Sequence, residues 1–262
     1  VFELRTRRAR LFAQLGLTLL ALPFALPLVA MLRGSLQNEG WANYVVVLSE
    51  PQFGRFFLNS AIMAAGCIGI TFVAAMLAAF AFAKLQLPAK EVWFYGLLVA
   101  LTLPGVMILV PLFLTMQTLG LLDTYWAVIL PLAAGGIPFS VLLARNFIAG
   151  LEDEIFDAAR VDGCTTLGVF LRIVVPLSRP IAAVIVLWAF LGAWNEFLLP
   201  LLFLTDADLQ AITQVPTFFT SFYGGDQGKV VAASVLITLP VLLMYLAMQR
   251  FFERGMTGGA LK

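Results

Sequence analysis

The chain of 262 residues contains no histidine and only two cysteines. Without histidine there is no imidazole metal site and no histidine proton relay. Cys67 lies in an apolar run and Cys164 in a charged stretch, so the pair gives no disulfide framework. Charge is also scarce, at 12% of residues, where a soluble domain carries about 25%. A net charge of +1 singles out no class of partner. No nucleotide-binding P-loop is present either. Lys229 follows Gly228, but Tyr223 stands where the first glycine is required and Val230 where Ser or Thr is required. No nucleophile–base pair and no ligand cluster suggest catalysis. What remains is apolar: 61% of residues are hydrophobic and mean hydropathy is +0.98, the composition of a membrane protein.

The apolar runs are long enough to cross a bilayer, which takes about 20 residues each. Six spans are expected, at 11–32, 59–83, 92–116, 125–147, 181–204 and 230–251, forming one all-α polytopic domain over 1–262. The first follows Arg5, Arg7, Arg8 and Arg10. It exceeds a signal-peptide core and lacks a small-residue cleavage pattern. The second is rich in glycine and alanine, which suits close packing. Pro104 and Pro111 interrupt the third. Pro131, Gly135, Gly136 and Pro138 are expected to break the fourth. Broken helices are tolerated where neighbours or a wet cavity satisfy the freed backbone, so spans three and four are candidates to line a pathway, or are kinked only for packing.

Six spans put both termini on one side. That side collects the four N-terminal arginines, Lys84, Lys90, Arg145, Arg160, Arg172, Arg179, Arg250, Arg254 and Lys262. The other side holds Arg33, Arg55 and Lys229. Thirteen against three assigns the termini to the cytoplasm by the positive-inside rule.

The longest polar interruption, about 148–180, falls on the same side. Glu152, Asp153 and Glu154 open a short helix, where carboxylates suit the positive end of the macrodipole. Leu151, Ile155 and Ala159, with Phe156 beside them, predict its apolar stripe. Gly163 suits a left-handed C-cap. A second helix is expected over 166–174, with Pro176 starting the return to the membrane.

This stretch resembles the EAA loop of binding-protein-dependent ABC importer permeases. The triplet is Asp157-Ala158-Ala159, Gly163 is the loop glycine, and Ile173-Val174-Val175-Pro176 matches the Ile-x-Leu-Pro tail. Asp157 replaces Glu, Val175 replaces Leu, and Glu152 stands where the family usually has Pro. Further resemblance narrows the branch. Trp194-Asn195-Glu196-Phe197 looks like the span-five signature of the carbohydrate-uptake, maltose/glycerol-phosphate type, and residues 249–262 are similar to its C-terminal tail. The likeness covers about residues 58–262.

The resemblance implies a type I ABC importer permease bundle. Its partners would be a second, homologous permease subunit, two ATP-binding subunits that use ATP and Mg, and an extracytoplasmic solute-binding protein. The chain itself would bind no cofactor or metal. Glu154, Asp157, Ala158, Ala159, Asp162, Gly163, Ile173 and Pro176 would form the ATPase-coupling loop, and Thr257, Gly258 and Gly259 a tail that contacts the ATPases. Tyr223, Gly224, Gly225 and Asp226 would meet the binding protein, unless they form a plain solvent loop.

Within span five, Glu196 is the clearest ionisable residue, about 22 Å from the cytoplasmic end of a straight helix at about 1.5 Å per residue. Such residues face a cavity or a polar partner. Trp194, Asn195 and Glu196 therefore offer either a sugar contact, by stacking and hydroxyl bonding, or an interhelical bond that fixes the bundle. Competing readings are a permease for a non-sugar solute, an ion-coupled secondary transporter and a membrane scaffold. The second of these calls for internal repeats and paired ionisable residues, and neither stands out.

Overall fold

A computed structural model describes residues 7–220 and 225–259, with side chains except at 7, 8, 250 and 252–259. Among the described residues the chain is helical and without strands. In order the helices are α1 (Arg7–Ser35), α2 (Ala42–Ser49), α3 (Phe53–Lys84), α4 (Lys90–Val99), α5 (Leu109–Thr118), α6 (Trp126–Ala149), α7 (Asp153–Val161), α8 (Thr166–Val169), α9 (Val175–Leu177), α10 (Arg179–Trp194), α11 (Leu198–Phe203) and α12 (Gln227–Gly259). Short 3-10 turns occupy Ala100–Thr102, Gly105–Ile108, Ala207–Leu209 and Ile212–Phe219, and a π-helical turn joins α8 to α9 over Phe170–Val174.

Four helices are long and apolar enough to cross a membrane: Ala9–Ser35, Phe53–Lys84, Trp126–Ala149 and Gln227–Gln249. Two helix pairs pass the same test only when taken together and are sharply bent, Lys90–Thr102 with Gly105–Thr118 at 93° and Thr166–Leu177 with Arg179–Trp194 at 80°. Span three is thus broken at Leu103-Pro104, as its prolines suggest. Span four is not broken. Pro131 and Pro138 sit inside a continuous helix, α6. Neighbouring helices can re-satisfy the backbone that a proline frees, so a proline in the sequence marks a possible break rather than a necessary one.

The chain divides into two compact units. The first comprises Val1–Phe53 and Val215–Thr238. Asn43 is fully buried there. Its Nδ2 donates to the carbonyls of Ser35 at 2.9 Å and Gln37 at 2.8 Å, locking the α1–α2 turn. Gly228, in the first turn of α12, presses on this knot. A Cβ there would lie 2.6 Å from both Asn43 Nδ2 and the Gln37 carbonyl oxygen. Lys229 then reaches Asp226 at 2.9 Å and Glu39 at 3.3 Å.

The second unit comprises Gly54–Gln214 and Leu239–Lys262. Among the described residues, two larger buried clusters and a smaller one of Ala75, Phe94 and Val141 hold it. Of the larger two, one gathers Met63 of α3, Ala127 and Val128 of α6, and Leu199 and Phe203 of α11. The other joins Met76 and Phe80 of α3, Ala144 and Ile148 of α6, Phe156 and Ala159 of α7, and Phe170 and Val174 of the π turn. The second cluster seats the polar loop on the helix bundle.

Candidate functional site: a coupling helix and a membrane cavity

Helix α7 carries Asp153 and Glu154 in its first turn, where carboxylates suit the positive end of the dipole. At its end, Cys164 N donates to Ala159 O at 2.9 Å and Gly163 N to Arg160 O at 3.0 Å. This is a Schellman motif, with Gly163 at φ +73° in the left-handed region. The C-cap expected at Gly163 is therefore present. The apolar stripe differs from expectation. Phe156 and Ala159 face inward, while Ile155 is exposed. The triplet is split between two faces: Ala159 packs against the bundle, and Asp157 and Ala158 face outward with Glu154, Asp162 and a Val161 that is 88% exposed. Ile173 is half-buried and Pro176 exposed.

Lys84, at the end of α3, anchors the start of this helix. Its Nζ donates to Leu151 O at 2.8 Å and pairs with Asp153 at 2.6 Å. It also sits 4.6 Å above the Phe156 ring. The hydrogen bond from Lys84 holds the Asp153 carboxyl below the usual range. Downstream, the Thr165 hydroxyl oxygen accepts from Gly168 N at 3.1 Å and caps α8. The helix does not stop before Pro176, as the sequence suggested. It continues through the π turn and α9 to Leu177 and bends at Ser178, whose hydroxyl is fully buried.

Span five was expected to run unbroken over 181–204. Instead α10 ends at Trp194 and α11 begins at Leu198, and the polar residues hold the break. Asn195 Nδ2 donates to Leu191 O at 2.9 Å. Glu196 Oε1 accepts from Leu198 N at 2.9 Å and Leu199 N at 3.0 Å, so it caps α11. The carbonyls of Glu196 and Phe197 accept from Thr213 Oγ1 at 2.8 Å and Gln214 Nε2 at 3.0 Å, the Phe197 carbonyl also from Leu201 N at 3.2 Å. The backbone carbonyls at the break have thus found partners, as a membrane interior demands.

The break borders a cavity of about 470 Å³, within the roughly 300–1,000 Å³ of ordinary ligand pockets. Its walls come from α3 (Cys67, Thr71), the irregular turn Gly105–Ile108, α5 (Leu109), α6 (Pro131, Gly135, Gly136) and α10 (Trp188, Gly192), with Glu196 beside them. Irregular backbone beside a cavity is the arrangement membranes permit. Spans three and four both reach this wall.

Trp194 and Asn195 do not line the cavity. The Trp194 ring is 2% exposed and packs against Phe190 at 5.4 Å and Phe57 at 5.2 Å. Trp188, which the sequence reading passed over, is 51% exposed and borders the cavity, with Phe139 against it at 4.8 Å. Its signal in the sequence was slight, a tryptophan six residues before Trp194 in a uniformly apolar run.

Beyond the break, Asn59 is 2% exposed. It donates to the carbonyls of Asp208 at 2.8 Å and Gln210 at 2.9 Å, and it accepts from Tyr125 Oη at 2.8 Å. Asp123, at φ +57°, accepts from the amides of Thr205 and Asp206 and from the Thr205 hydroxyl. These bonds, the Thr205 hydroxyl first, hold its carboxyl below the ordinary range. Gly225 and Asp226 are described, while Tyr223 and Gly224 lie outside the described residues. Thr257, Gly258 and Gly259 end α12, and nothing more is described of them. No group of acidic or cysteine side chains suited to a metal ion occurs among the described residues.

Comparison with known proteins places this geometry. Residues 71–258 match the family model of the binding-protein-dependent transport system inner membrane component. The diacetylchitobiose uptake system permease protein NgcG of Streptomyces coelicolor is 30% identical, over 93% of this chain and 78% of that one. The arabinooligosaccharides transport system permease protein AraQ of Halalkalibacterium halodurans is also 30% identical, over 84% and 78%. A chain in a crystal structure of a bacterial ABC transporter involved in alginate import shares the fold, with a TM-score of 0.80 at 19% identity over 96% of this chain and all of the other. The matched region holds α7, its Schellman glycine and the span-five break together, and the chain belongs to the family of binding-protein-dependent transport system inner membrane components.

Proposed function

We propose that this chain is one of two permease subunits of an ABC importer for a sugar or sugar derivative. It spans a prokaryotic cytoplasmic membrane six times, with each bent pair counted as one span. Both termini and α7 face the cytoplasm, in keeping with thirteen basic residues on that side against three on the other. Partner chains hydrolyse ATP with Mg. A solute-binding protein delivers sugar from the opposite side, and residues 223–226 are candidates to meet it. The tail around Thr257, Gly258 and Gly259 contacts the ATPases. The sugar assignment is supported by the names of the relatives, two of which are permeases for oligosaccharides or chitobiose.

The observation that carries the coupling role is the two-faced build of α7. Phe156 and Ala159 bind it to the bundle, and Lys84 pins its start. Its outer face remains open for an ATPase cleft. A helix fixed this way moves with the spans it rests on, so closure of the ATPase pair passes to the membrane as rigid-body motion. The closure opens the spans outward, sugar enters from the binding protein, and hydrolysis resets the inward-facing state.

The test uses the complex in proteoliposomes. Uptake of labelled sugar should require both ATP on the ATPase side and the loaded binding protein. Uptake driven by an ion gradient, with no nucleotide, would overturn the reading.

A further inference from the structure

We propose that the cavity beside the span-five break is a sugar-contact subsite on this subunit, formed by Trp188 and Glu196, and that Gly135 and Gly192 set its width. The proposal rests on the sugar-import reading and names where in this chain the sugar is touched. Trp188 is exposed to the cavity and steadied by Phe139. An indole presents an apolar face suited to the C–H face of a pyranose. Both backbone amides that bond Glu196 go to Oε1, which leaves Oε2 to accept from a sugar hydroxyl. Because Oε1 is fixed by α11, the second oxygen is held in place before any solute arrives.

The glycines supply a separate observation. Gly66 of α3 is needed for packing, since a Cβ there would lie 2.8 Å from Ile129 Cδ1. A Cβ on Gly135 or Gly192 would meet nothing within 4 Å. Both lie inside helices, where glycine costs up to about 1 kcal/mol relative to alanine. No packing within this chain explains them, and both border the cavity. Their missing side chains keep it wide. The remaining wall is mostly aliphatic, which suits a solute that must leave as readily as it enters.

Single cysteines at Gly135→Cys and Gly192→Cys, in a Cys67→Ala, Cys164→Ala background of the full complex, test this. They are reacted with a small charged methanethiosulfonate in the presence of glucose, maltose, diacetylchitobiose or glycine betaine. Both sites should react, and a sugar filling about two thirds of the sites should slow the reaction about threefold. Glycine betaine should not. Trp188→Ala should remove the protection and Trp188→Phe retain it. Gly135→Leu should abolish protection of Gly192→Cys by the disaccharides and spare that by glucose. Cysteines that do not react, or that react equally with and without every solute, overturn the subsite and leave sugar import standing. Protection by glycine betaine and not by sugars contradicts the sugar reading itself. Equal protection by glucose and the disaccharides in Gly135→Leu overturns the role of the glycines.

Discussion

Asn59 and Asp123 each use a single side chain to satisfy several backbone groups of the segment after α11. Asn59 makes three hydrogen bonds from a nearly sealed position. Each is worth about 1 kcal/mol, so Asn59→Ala should destabilise the purified protein by about 3 kcal/mol, read as a lowered thermal midpoint. Asp123 is open to solvent and tests differently. Its folded pKa is lowered, so its contribution is complete above the unfolded value and drains away as pH falls through the lowered one. Limited proteolysis of residues 204–210 should stay flat from neutral to about pH 5 and accelerate only in stronger acid. Asp123→Asn, with a donor facing donors, should accelerate it at neutral pH. Neither tie was legible in the sequence. Asn59 sat at the edge of an apolar run and Asp123 in a polar turn, and their partners in the segment after α11 lie 149–151 and 82–83 residues away along the chain. Only the fold joins them.

At the scale of the element, α7 and the break in span five show what local chemistry reveals. The carboxylates before α7 and the glycine after it announced a short helix with a left-handed stop, because capping is decided within a few residues. Gly163→Val should therefore strain the turn by about 1–2 kcal/mol. Sugar-stimulated ATP hydrolysis should fall in this variant while the bundle keeps its helicity. The inward face was harder to read. Periodicity favoured Leu151, Ile155 and Ala159 with Phe156 beside them; Phe156 and Ala159 are buried and Leu151 packs against their cluster, while Ile155 stays exposed. Phe156→Ala should cost about 3 kcal/mol or more and uncouple hydrolysis from uptake, measured as ATP spent per sugar imported. The break at residues 195–197 carried a mixed lesson. Asn195 and Glu196 were noticed as polar residues inside a span; their side chains bond backbone within four residues, and only Thr213 and Gln214, which bond the carbonyls of Glu196 and Phe197, come from a later segment. Likewise, that Trp194 packs on Phe57 and Phe190 while Trp188 borders the cavity could not be read from a uniformly apolar run.

For the whole molecule, hydropathy and charge order were enough to give a polytopic helical protein, because the bilayer leaves few alternatives. They did not show that two helix pairs are sharply bent or that α6 passes through its prolines unbroken, since both depend on neighbours that repair the backbone. The account's central claim is mechanical: a helix fixed to the spans by one face is gripped by an ATPase on the other. Its most direct measurement is recovery of the ATPase subunits with the tagged chain after deletion of Asp157–Gly163. The account predicts that the deleted chain still inserts and keeps its helical circular dichroism, while the ATPase is lost from the purified complex. Undiminished ATPase recovery with the deleted chain would contradict it.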